Sequence, residues 1–220
     1  MDIQLEFAHA VGTGDGTLNV HLDRAALLVA AAASGPEAAV DIDLELARLD
    51  ALATGLDATN AAELALELFG GAGFDPELHF GGNHRSYYEV QNSLLPMVLD
   101  RRVGIPISLA VLMIEIGRRR AIDLHGVGMP GHFLVGSAMG YIDVFNGGVL
   151  LDVAGCEGLF QQLAGPGQRL PENALARTAR CHDHSAHASQ PGHDRNEPGV
   201  AAHVMGDQVI AVGIPRCDPS

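Results

Sequence analysis

Within GMPGHFLVGSAMGYIDVF, residues 128–145, His132 enters one apolar run and Asp143 sits in the next. An imidazole held by a carboxylate is a general base with a fixed tautomer, the pair that nucleophilic catalysis uses to activate a hydroxyl, a thiol or water. Both runs alternate with period two, as strands do. If Gly136 to Met139 form a four-residue loop, Leu134 faces Tyr141, Phe133 faces Ile142 and His132 faces Asp143. Their Cβ atoms then lie about 5 Å apart, as direct cross-strand neighbours do. Phe133, Val135, Ile142 and Val144 fall on one face and the polar pair on the other. A hairpin could carry the same pair only as a stabilising cross-strand hydrogen bond, so the pair by itself leaves both readings open.

The elements that must position the pair are legible on both sides. LDRAALLVAAAAS, VDIDLELARLDALATGL and NAAELALELF, within residues 22–69, repeat apolar residues at helical spacing. GGAGFDPELHFGGNHRSYY breaks the pattern and reads as a loop anchored by Phe74, Phe80, Tyr87 and Tyr88. A short helix around NSLLPMVLDRR follows, with Asn92 and Ser93 as its capping residues. In GIPISLAVLMIEIGRRR, Pro106 suits a first helical turn, and the apolar residues from Ile107 to Ile116 surround the axis, predicting a buried spine. Arg118, Arg119 and Arg120 read as its solvated C-terminal end. From Leu124, the stretches LHGVGM, HFLVG, YIDVF and GVLLDV predict short antiparallel strands. The fold class expected is α+β: a helical N-terminal half and a buried central helix packed on a small antiparallel sheet.

Bulk composition narrows the function. The 220 residues carry 13 basic side chains, all arginine, against 27 acidic ones, for a formal charge of -14. That field repels phosphate backbones, so no nucleic-acid partner is expected. The longest small-apolar run, Ala25 to Ala33, is too short to cross a bilayer, and the first residues lack the basic and apolar regions of a signal peptide. No membrane partner and a cytoplasmic location follow as expectations. Cys156, Cys181 and Cys217 form neither a disulfide framework nor a C-x-x-C metal pair, and neither metal nor cofactor is expected.

Taken together, NSLLPMVLDRRVGIPISLAVLMIEIGRR, GVGMPGHFLVG and YIDVFNGG resemble the SirB-type branch of the transglutaminase-like superfamily, and the likeness runs from about residue 25 to 160. It implies a papain-like core with a cysteine at the start of the central helix, then a histidine and an aspartate on successive strands. His132 and Asp143 fall on the last two positions. Laying G-x-C-x-x-x-A on Gly104 to Ala110 puts Pro106 where the thiol belongs. A pyrrolidine ring offers no thiolate for the helix N-terminus to stabilise. The resemblance also implies that this substitution is shared by the branch, whose association with invasion-gene regulation points to a regulatory role. Two substitutes exist. Ser108, two positions on, is turned by roughly 200° away from the His132 side. Cys156, in VAGCEG, reads either as a relocated nucleophile or as a packing residue. The sequence therefore points to a non-catalytic pseudoenzyme binding a peptide or protein partner, with a hydrolase or acyl-transfer enzyme using His132, Asp143 and another nucleophile, Cys156 or water, as the alternative.

One domain is expected over residues 1–170, with a helical leader at 1–75 and a core at 76–170. Residues 171–220 differ in character: four histidines fall between His182 and His193 amid Ser, Pro and Gly, which reads as metal tract, disordered tail or out-of-frame translation. Moving one base forward across His182 to Pro191 permits Met-Thr-Ile-Leu-Arg-Met-Leu-Ala-Asn-Leu, which resembles the helical stretch that follows the sheet in the SirB-type branch. A frame slip between Arg169 and His182 would account for it.

Overall fold

The computed structural model describes residues 21–34 and 39–177, and the backbone of an antiparallel pair of two-residue strands, His203–Val204 and Val209–Ile210. Among the described residues three helices come first: α1 (Leu22–Ser34), α2 (Ile42–Thr54) and α3 (Ala61–Phe69). Asp41 caps α2 by accepting the Leu44 N–H, and Asn60 caps α3 through two backbone N–H groups. A short parallel pair, β1 (Gly81–Gly82) and β2 (Val103–Gly104), brackets α4 (Leu95–Arg101) and leads into α5 (Pro106–Arg119). The sheet follows in chain order: β3 (His125–Met129), β4 (His132–Ser137), β5 (Gly140–Asp143) and β6 (Val149–Leu151), all antiparallel. α6 (Val153–Ala164) closes the domain. This is the α+β architecture the pattern predicts.

α5 is the spine. Leu109, Ala110, Leu112, Met113 and Ile116 are wholly buried, and the helix packs on α1, α2, α3 and α4 on one side and on β4 on the other. Each such large side chain contributes about 1.5–3 kcal/mol on leaving water. One hydrophobic cluster joins Leu27, Leu49, Leu64, Leu112, Val135 and Ile142, so the helical leader and the sheet share a single core. The opposite sheet face is apolar too: Val127, Met129 and Leu134 pack with Cys156 and Phe160 of α6.

Four expectations change. The β4–β5 loop is two residues long, because Ser137 Oγ receives the Met139 N–H and donates to the Gly140 carbonyl, closing the turn early. Ile142 therefore pairs with Val135 and not with Phe133, a slide of two residues that leaves every side chain on its expected face. The arginine run is not a solvated end: the Arg119 side chain is only 11% exposed and bridges Asp23, Glu115 and Asp50. Of the four loop aromatics only Phe80 is buried and Tyr87 half-buried, while Phe74 and Tyr88 lie open. The chain after β6 turns into α6, capped by Asp152, where glycines 155 and 158 obscure the helical pattern.

After residue 170, Ala174 is buried, Leu175 packs against the α6-side cluster and Arg177 forms a β-bridge to Val127. The His-rich tract, Cys181, Cys217 and the expected frame slip lie outside the described residues. Among the described residues no helix is long and apolar enough to cross a membrane.

Candidate functional site

The two-residue slide makes His132 and Asp143 diagonal neighbours: Asp143 lies across from Leu134, two positions beyond His132 on the same face. The side chains still meet, Nε2 of His132 standing 2.8 Å from Asp143 Oδ1, with side-chain exposures of 7% and 4%. Asp143 ends β5, and its carboxylate organises the turn that follows. Oδ1 also accepts the Phe145 and Asn146 N–H groups at 3.2 Å, and Oδ2 accepts the Asn146 side-chain amide at 2.7 Å. Burial works to raise the Asp143 pKa, but hydrogen bonding and charge attraction from His132, with help from Asn146, outweigh it and hold the group below its ordinary value. The D-x-x-N spacing of Asp143 and Asn146 is the sequence signal for this turn.

On the other side of the imidazole the arrangement is incomplete. Nδ1 has no hydrogen-bond partner among the described residues. Nor is it occluded, since among those residues only Ser93 Oγ is both occluded and unpartnered, so Nδ1 is reached by solvent. With the ring neutral and Nε2–H directed at Asp143, Nδ1 carries the lone pair.

Aromatic rings flank it. The Phe145 ring lies 6.2 Å from that of His132, 4.4 Å from His84 and 5.7 Å from Tyr87, and Tyr87 meets Tyr88 edge-on at 5.3 Å. Phe145 fits beneath β1 because position 82 is glycine: a Cβ there would stand 2.5 Å from Phe145. Neither His84 nor Phe145 was marked by spacing, since they are 61 positions apart and meet only where Phe145 comes up against Gly82.

The possible nucleophiles do not complete the site. Pro106 is the first residue of α5 and is buried, with Ile105 before it in extended geometry. Ser108 Oγ receives the Ile105 N–H at 3.1 Å and donates to the Asn92 carbonyl at 2.6 Å, which ties it to the neighbouring loop. Asn92 is no helix cap: it is fully buried and its amide donates to the Ser86 and Tyr87 carbonyls, while α4 has no side-chain cap. Cys156 is fully buried on α6, and burial, with the Asp152 and Asp143 charges, pushes its thiol up to about 11. A thiol so placed is not a thiolate at neutral pH. A cavity of about 270 Å³ lined by Asp50, Ala53, Thr54, Arg119 and Arg120 lies at the C-terminal end of α5, away from the His132–Asp143 pair. Among the described residues no three His, Cys, Asp or Glu side chains gather as a metal site.

Comparison with known proteins gives relatives over part of the chain and a family. A UPF0162 protein of Xylella fastidiosa strain Temecula1 is 50% identical over 80 residues, 34% of this chain and 28% of that protein. A UPF0162 protein of Pseudomonas aeruginosa is 42% identical over 82 residues, 36% of this chain and 30% of that protein. Human F-box only protein 21 is 38% identical over 98 residues, 39% of this chain and 16% of that protein. The chain thus spans less than a third of these curated relatives. No solved structure gives a significant match. The family model described as "Transglutaminase-like superfamily" matches residues 44–182, more than half of the chain, and the protein belongs to that superfamily.

Proposed function

We propose that this protein is a cytoplasmic, non-catalytic module of the SirB-type branch that binds a peptide or protein partner at the surface around His132 and Asp143, in a regulatory role. The observation that carries the reading is the spent state of each candidate nucleophile: a ring at Pro106, a Ser108 hydroxyl tied to the Asn92 carbonyl and a buried, protonated Cys156. A base and its orienter alone form no covalent intermediate. The second reading, a hydrolase that activates water, draws on one specific feature, the solvent-reached and unpartnered Nδ1 of His132.

Thiol- and serine-directed activity probes, read by intact mass, separate the two. The binding module stays unlabelled in the native state, and its partner's affinity falls on His132→Ala. Covalent labelling that His132→Ala abolishes, or turnover of acyl substrates lost in the same variant, would replace the module with the enzyme.

A further inference from the structure

The binding surface has a chemical preference, and this inference rests on the module reading above. Three features of the site converge. First, the His132 side chain is more than nine-tenths buried, yet its Nδ1 has no partner among the described residues and is open to solvent, so the neutral ring with Nε2–H on Asp143 presents an acceptor there. Second, the acceptor adjoins Phe145, from which rings continue through Tyr87 to Tyr88, 66% exposed, and to His84, also exposed. Third, Asp143 is held anionic behind the imidazole, in a chain of net charge -14. A planar cation with several N–H donors satisfies all three at once: one N–H meets the lone pair, the flat face lies on a ring, and its charge suits the field. The cavity at the C-terminal end of α5 lies elsewhere, and the exposed Tyr88 ring suits a side chain laid on the surface. The chain already uses the same contact internally, where the Arg102 guanidinium lies 5.1 Å over the Phe80 ring.

We propose that the His132 surface binds the guanidinium of an arginine side chain presented by a partner polypeptide, with Nδ1 as the hydrogen-bond acceptor and Tyr88, the exposed end of the Phe145–Tyr87–Tyr88 ring cluster, as the stacking ring. Lysine lacks the plane, and tyrosine and citrulline lack the charge.

The test titrates the full chain with N-acetyl-arginine N-methylamide and with its lysine, citrulline and tyrosine counterparts, following the His132 imidazole nitrogens and the Phe145 ring by NMR. Arginine is expected to shift both sets of signals at concentrations where the other three do not. Removing the exposed ring in Tyr88→Ala, which leaves the fold intact, should weaken the response roughly two- to fivefold, as an exposed cation–π contact does. His132→Gln should weaken it about tenfold or more, as loss of a good hydrogen bond does. Equal responses to arginine and lysine, equal responses to arginine and citrulline, or an arginine response unchanged in Tyr88→Ala would each overturn the assignment. A partner still lost on His132→Ala without arginine selectivity defeats only this inference, whereas covalent labelling of the native protein defeats the module reading itself.

Discussion

Two clusters of buried charge sit at opposite ends of α5 and are built differently. At the C-terminal end Asp23 accepts from Arg118 and Arg119 at 3.2 and 2.7 Å, Glu115 accepts from the same two arginines at 2.8 and 3.2 Å, and Glu115 also takes the Leu22 N–H. Arg119 adds Asp50 at 2.6 Å. Asp23, Glu115, Arg118 and Arg119 each have two or more partners, and Asp50 ties in through Arg119, so the cluster clasps α1 and α2 to the spine. Near the N-terminal end Asp143 is equally saturated, but the imidazole it holds uses one nitrogen and leaves the other to solvent. Full satisfaction is what a buried charge needs to stabilise a fold. An acceptor left over beside it is available to something outside the chain.

Arg119→Ala probes the clasp hardest. It leaves Asp23 and Glu115 to the more exposed Arg118 alone and should cost about 3 kcal/mol in urea unfolding, the low end of what breaking a buried pair costs. A cost below about 1 kcal/mol, the range of exposed pairs, would dissolve the contrast between the clusters. Asp143→Asn comes next, at about 1–3 kcal/mol, because the turn and the imidazole lose a charged acceptor. Its pH dependence has a definite sign. The folded chain holds the Asp143 proton less tightly than the unfolded one, so the stabilisation is complete above the ordinary value of 3.8 and drains away as pH falls through the lower folded value. The gap between wild type and Asp143→Asn should therefore narrow below about pH 4. Glu115, raised first by burial and then by Asp23, contributes with the opposite sign, so Glu115→Gln should cost less at neutral pH than its number of contacts suggests. His132→Gln should cost the least, about 1 kcal/mol or less, since an amide can still donate to Asp143. A loss larger than that of Asp143→Asn would make the ring a structural part and erase the distinction drawn here. Without any energetic signature, the nucleotide sequence across codons 165–195 should encode the helical motif one base forward. The family match ends at residue 182, where the His-rich tract begins, and an immediate stop in the shifted frame would refute the slip.

The pairing of His132 with Asp143 could be read from the chain even though the register could not. Strand alternation has period two, so the two-residue slide imposed by Ser137 kept both residues on one face and within reach. The sequence leaves Cys156 between nucleophile and packing residue: its helix is obscured by glycines, and only packing against Leu134 and Phe160 reveals how deeply the thiol is buried. Asn92 looked like a cap because Asn before a helix commonly is one, yet its amide is fully used by the loop from Ser86 to Tyr87.

The order of letters determined the α+β class, the apolar girdle that makes α5 a buried spine, and the absence of a thiol at its first turn, because periodicity and residue identity are local properties. Tertiary structure decided which nitrogen of His132 is free, which rings border it, and that the arginine run is a clasp. Arg119 and Asp23 are 96 positions apart, and ion pairs at such separation exist only once the helices between them have packed.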